Sequence, residues 1–288
     1  MITLHHHHLI AQIHPKGAEL QSLKHIGTGL EYIWQGDAKY WGKHSPVLFP
    51  IVGALRNDHY TYNGQQYPMS RHGFARDLFF EAVQHSEAAA TFTLRSNADT
   101  LAVYPFAFVF SVHYTLTGGQ LHVTYEVENP AATPLLFSAG GHPAFNVPLA
   151  PGTHYSDYEL VFEKPETTGR WLLQNGLIDS GTTPLLNGQQ TLPLTPGLFY
   201  NDAIVLKHLH SQQVTLQSRK HAHGLDFNFA GFPYLGIWAA KDAPFVCIEP
   251  WYGIADSVLH NGELATKEGI VTLEANGRWQ RTWQVRCF

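Results

Sequence analysis

The segment Leu121-His122-Val123-Thr124-Tyr125-Glu126-Val127-Glu128 alternates strictly, with every odd position apolar and every even position polar. An extended chain points successive side chains to opposite faces, so this pattern describes a strand with one face buried and the other wet. Residues 106–116 read as a second strand. Between them, Thr117-Gly118-Gly119-Gln120 offers residues that accept the positive φ angles of a tight hairpin turn. Tyr60-Thr61-Tyr62-Asn63-Gly64-Gln65-Gln66-Tyr67 repeats the device around Asn-Gly. Residues 91–95, 135–137, 213–217, 234–238 and 245–249 are further strands by the same reading, and helical periodicity of useful length is missing.

Seventeen prolines and 25 glycines interrupt the chain at short intervals, as many short antiparallel strands require. The expected architecture is all-β, a large antiparallel β-sandwich, with residues 1–288 as one domain; sandwiches often exceed two hundred residues without dividing. The hydrophobic share of 44% is enough for a sizeable core. Residues 148–196 are loop-rich and read as an excursion or lid.

Other readings are narrowed by charge and composition. A net charge of −5 without a Lys/Arg cluster gives no footprint for a nucleic-acid backbone. No apolar run is long enough to span a membrane and no secretory leader is visible, so a cytoplasmic location is expected. Cys247 and Cys287 read as free packing residues, since no C-x-x-C occurs. Nineteen histidines are unusual; the run His5-His6-His7-His8 sits between apolar residues and reads as part of a strand.

Three segments break the strand-and-turn background. In Ser70-Arg71-His72-Gly73-Phe74-Ala75-Arg76, two arginines and a histidine flank a glycine, which suits a pocket for polyols or anions or, equally, a decorated loop. Ala139-Gly140-Gly141-His142-Pro143-Ala144-Phe145-Asn146 presents a histidine after a paired-glycine turn, where it could donate a proton or simply cap a loop. In Phe245-Val246-Cys247-Ile248-Glu249-Pro250-Trp251, alternation places Glu249 on the same face as Phe245 and Cys247. A carboxylate there is costly unless it is functional or paired, and Trp251 offers an aromatic face of the kind on which sugar rings stack.

Together these segments, in this order, resemble the three signature regions of the aldose 1-epimerase (galactose mutarotase-like) family, most closely its LacX-like branch. Gly17-Ala18-Glu19-Leu20-Gln21-Ser22-Leu23 and Pro46-Val47-Leu48-Phe49-Pro50-Ile51-Val52-Gly53 extend the resemblance over nearly the whole chain. The resemblance implies a galactose mutarotase-like supersandwich that interconverts α and β anomers of an aldose in an open cleft, with no metal or other cofactor. Glu249 matches the family's catalytic base, His142 its catalytic acid and His72 a second active-site histidine. Arg56 resembles a substrate-binding arginine and Asp202 a hydroxyl-binding aspartate; Arg71, Arg76, Asn146 and Trp251 complete the expected sugar contacts. Glu249 is expected to be ionised and His142 an imidazolium, the two facing each other across a cavity one sugar ring wide.

The chain departs from the galactose enzymes where they carry Thr-His-x-Tyr-Phe-Asn and where a Gln replaces Trp251, which leaves the sugar open. His72-Gly73-Phe74-Ala75-Arg76 also resembles the related hexose-6-phosphate epimerases, with Arg56, Arg71 and Arg76 as candidate phosphate ligands. A non-catalytic sugar-binding or sensing protein is a further alternative, as is a metalloenzyme built on His208-x-His210 and His221-x-His223. The expected partner is a small-molecule sugar, bound by a monomer or homodimer.

Overall fold

A computed structural model describes residues 1–288. The alternating segment is the strand Gln120–Glu128, hydrogen-bonded antiparallel to Val109–Thr117 with Gln120 opposite Thr117. Gly118 and Gly119 both take positive φ (56° and 76°) in the turn, as expected of that sequence. The first strand starts at Val109, not at residue 106. Phe106 and Phe108 lie just outside it, buried by packing and not by the ladder. The Asn63-Gly64 turn joins His59–Tyr62 to Gln65–Pro68.

Most strands join one 15-stranded sheet. Its path begins at Val47–Leu48 and Ala139–Gly141 and crosses Phe245–Tyr252, Tyr234–Trp238 and Ile204–Lys207. It continues through Tyr158–Gln174, Gln213–Ser218, Gly224–Asn228 and Arg278–Cys287 to the hairpin and its outer neighbours Ala89–Arg95 and Glu81–Ser86. A sheet this long does not stay flat, because each strand is twisted against the last. Here it folds over and covers itself. Phe49, next to the first strand in the order, stacks on Phe110 from near the other end, with ring centroids 4.4 Å apart and planes 13° apart. Phe145 likewise meets Phe227 across the layers. One contiguous core of 69 buried residues fills the sandwich.

At the N-terminus, Ile2–His6, Leu9–His14 and Glu19–His25 form a separate three-stranded sheet, tied down where Tyr114 donates its hydroxyl to the Ala18 carbonyl. The histidine run is divided there: His5 and His6 end the first strand, and His7 and His8 make the turn, with His7 at φ 51°. One short α-helix, Ala98–Val103, is capped by Asn97.

Residues 148–196 are largely not loop. They hold two 17-residue strands, Tyr158–Gln174 and Leu177–Pro193, paired antiparallel with several register shifts. Those shifts break the polar/apolar alternation from which a strand is read, and the outer parts of the hairpin are exposed, so neither face carries a hydrophobic signal. Its tip, Asn175-Gly176, reaches the cavity described below.

Phe49 is fully buried and touches five aromatic rings from both layers. Replacing it with Ala is expected to cost about 3–5 kcal/mol, read as a lower denaturant midpoint with an unchanged slope.

Candidate active site

The strand Phe245–Tyr252 sits between Tyr234–Trp238 on one side and a broken neighbour on the other. That neighbour is Ala139–Gly141 followed by Ala144–Asn146, with Gly140 opposite Trp251 and Ala144 opposite Cys247. The residues between, Gly141, His142 and Pro143, therefore face Pro250, Glu249 and Ile248. Register alone sets His142 beside Glu249: His142 Nε2 lies 3.3 Å from Glu249 Oε2. The backbone break is stitched by His142 N–H donating to the Pro46 carbonyl and Ile248 N–H to that of Pro143.

The paired glycines are strand, not turn. Each is there because no side chain fits: a Cβ on Gly141 would stand 2.5 Å from the Tyr125 hydroxyl oxygen of the other layer, and one on Gly140 2.9 Å from the Pro250 carbonyl oxygen of the neighbouring strand.

Around this pair lies a cavity of about 330 Å³, at the lower end of the range for small-molecule sites. Seven of the expected residues line it: His72, Arg71, Arg76, His142, Asp202, Glu249 and Trp251. Two do not. Arg56 points away, its backbone N–H donating to Asp256 and its guanidinium to the His260 carbonyl, and it is solvent-exposed. Asn146 spends its side-chain amide on the carbonyls of Glu31 and Ile33, which fixes a loop. Neither assignment to sugar contact fits these positions.

His72 occupies a left-handed conformation (φ 69°), which costs a non-glycine residue roughly 1–3 kcal/mol when the surroundings enforce it. Two hydrogen bonds hold it there: His72 N–H to the Gly53 carbonyl, and Gly53 N–H to His72 Nδ1. Accepting at Nδ1 leaves the ring proton on Nε2, and the ring stands 5.7 Å, centroid to centroid, from that of His142.

Arg76 donates to the Arg71 carbonyl, while its Nε is buried without a hydrogen-bond partner. The Arg71 guanidinium presses on the hairpin tip, where a Cβ on Gly176 would lie 1.9 Å from Nη2. Asp202, also at positive φ (82°), follows a short turn that ends at the cavity wall.

Two tryptophans were not legible as site residues. Trp41 stacks on His142 with centroids 4.9 Å apart and planes 27° apart, and Trp238 meets the same ring edge-on at 5.6 Å. Between them they hold the imidazole in one plane. Trp251, read from sequence as a stacking surface, also brings a buried indole N–H with no partner to the cavity wall. Leu173 and Ile178 come from the long hairpin and carried no chemical signal at all.

Burial shapes the charge of the pair. It pushes the Glu249 carboxyl well above the usual carboxylate range, opposed by the nearby Trp251 indole N–H and reinforced by Asp202. Burial likewise pulls His142 down to about 3 and holds His72 well below the usual imidazole range. Both shifts disfavour the charged forms, so burial works against the expected carboxylate and imidazolium. The two groups are also in contact, not separated by the width of a ring.

The histidine pairs considered as metal ligands lie elsewhere. His208 and His210 are exposed, and His221 uses one ring nitrogen with the Tyr158 hydroxyl and accepts the His223 N–H at the other.

A profile of the aldose 1-epimerase family matches residues 1–272. The plasmid-encoded protein LacX of Lactococcus lactis subsp. lactis is 38% identical over 279 residues, covering 93% of each chain. A galactose mutarotase related enzyme from Lactobacillus acidophilus superposes with a TM-score of 0.95 at 34% identity, over 99% of this chain and 96% of that one. A galactose mutarotase-like protein from Lactobacillus casei does so at 0.93 and 36% identity, over the full length of both. By fold and by sequence, the chain belongs to the aldose 1-epimerase family.

Proposed function

We propose that the protein is an aldose 1-epimerase that interconverts the α and β anomers of a hexose, with Glu249 and His142 as the proton-transfer pair. The observation that carries this reading is their contact at 3.3 Å on the wall of a ring-sized cavity. Ring opening takes a proton from the anomeric hydroxyl and gives one to the ring oxygen. Both oxygens are bonded to the same carbon, so acid and base serve best side by side. Net proton count is unchanged: the pair gives one proton and receives one, and rotation about C1–C2 before reclosure yields the other anomer.

For Glu249 to act as base, the proton must first stand on His142. A dry cavity disfavours that ion pair, and sugar hydroxyls hydrogen-bonding to Glu249 supply the polarity that makes it accessible. The stacked face of Trp41 favours the same charged ring. In this reading the Trp251 indole N–H and the Asp202 carboxylate would orient hydroxyls, and the aromatic wall of Trp41 and Trp238 would receive the apolar side of the ring.

A second reading, an epimerase for a hexose 6-phosphate, is favoured by one observation: Arg71 and Arg76 both line the cavity, and Arg71 makes no ion pair with any acid of the chain.

Polarimetry on freshly dissolved sugars is the test. Glu249→Gln and His142→Asn are each expected to lower kcat/KM by roughly 10²–10⁴-fold, and undiminished rates in both would remove the assignment. Trp251→Phe is expected to lower kcat/KM by about 10-fold through one lost hydrogen bond. The pH profile should be set by the pair as a unit. A second proton adds only near His142's value of about 3, so activity should persist as pH falls through 6.5 and decline only toward 3; it is lost at the alkaline side when the shared proton leaves. An acid limb centred near 6.5 would contradict this charge state. Under the second reading, Arg71→Ala should depress turnover of the 6-phosphate by roughly 10-fold or more while sparing the free hexose.

A further inference from the structure

Cys247 is two residues before Glu249 on the same strand face, fully buried, and outside the proposed proton-transfer chemistry. Its sulfur, a ring nitrogen of His142 and a carboxylate oxygen of Glu249 all lie within 4.8 Å of one another. Tetrahedral coordination with bonds of about 2.0–2.3 Å needs ligand atoms roughly 3.5 Å apart. The three side chains thus need to close by only about one ångström. Glu249 Oε2 is buried and makes no hydrogen bond within the protein, so an unsatisfied acceptor already stands in the cluster.

We infer that Cys247, His142 and Glu249 form a binding site for a thiophilic divalent cation such as Zn²⁺ or Cd²⁺, which shuts off the acid–base pair when it binds. The charge arithmetic favours it. Two anionic ligands and a neutral imidazole balance a dication, so the complex is neutral overall and burial does not penalise it as it penalises each group charged alone. Binding displaces two protons, the thiol proton of Cys247 and the one carried by the Glu249 and His142 pair. Three protein ligands leave a fourth position, which water or a sugar hydroxyl would complete. The inhibition rests on the epimerase reading; the binding does not.

Cadmium titration of the intact protein tests binding directly, because thiolate ligation produces an ultraviolet sulfur-to-cadmium charge-transfer band. One equivalent of Cd²⁺ is expected to saturate the band, with two protons released per ion in weakly buffered solution. Cys247→Ala should abolish the band and weaken binding by on the order of 100-fold or more, while mutarotation without metal continues. Zn²⁺ should inhibit the parent protein and be opposed by excess sugar. Absence of the band at one equivalent overturns the inference, and so does a band that survives in Cys247→Ala and vanishes in Cys287→Ala. If Cys247→Ala does not fold, the parent protein's band and proton count still decide. A saturable band in a protein without mutarotase activity would keep the metal site and sink the epimerase reading alone.

Discussion

A carboxyl and an imidazole held in contact out of water are the constraint around which the rest of this protein is arranged. Isolated, each buried group loses its charge, because the interior cannot replace the solvation that water gives. Held together, each group's charge depends on the other and on what the cavity holds. The surrounding structure exists to keep that contact. The sheet's register sets the two residues opposite each other, tryptophans fix the imidazole plane, and glycines let the second layer approach from behind.

Such a site is expensive to build. His72 and Asp202 both sit at positive φ, and buried polar atoms of Glu249, His142, Trp251 and Arg76 have no hydrogen-bond partner. A fold tolerates strain and orphaned polar atoms where a large core over-determines the backbone, and the 69-residue core of the doubled-over sheet does that here. The same orphaned groups are what a bound sugar, or a thiophilic cation, would satisfy. Four such residues line one cavity, where a bound ligand would find donors and acceptors to satisfy.

The pairing of carboxyl and thiol on one strand face has a consequence for control. Substrate and metal would compete for one pair of groups by different means, the sugar through hydrogen bonds that leave the shared proton in place and the cation by replacing it. A single buried sulfur, with no part in ring opening, would make the difference.

By itself the sequence determined the local pieces: the alternating hairpin, the Asn-Gly turn, the strands at 234–238 and 245–249, and the face shared by Cys247 and Glu249. These follow from period-two patterning and turn chemistry, which act over a few residues. It also carried the ordered segments by which the family is recognised, and so His72, His142 and Glu249 as candidates. Tertiary structure alone decided the rest. Arg56 and Asn146 turn out to serve loops, Trp41 and Trp238 to brace the imidazole, and the hairpin 158–193 to reach the cavity, because each outcome depends on chain segments far apart in sequence. The charge of the pair is also a tertiary property. Glu249 and His142 have ordinary titrations as residue types, and only their burial turns each against its charged form.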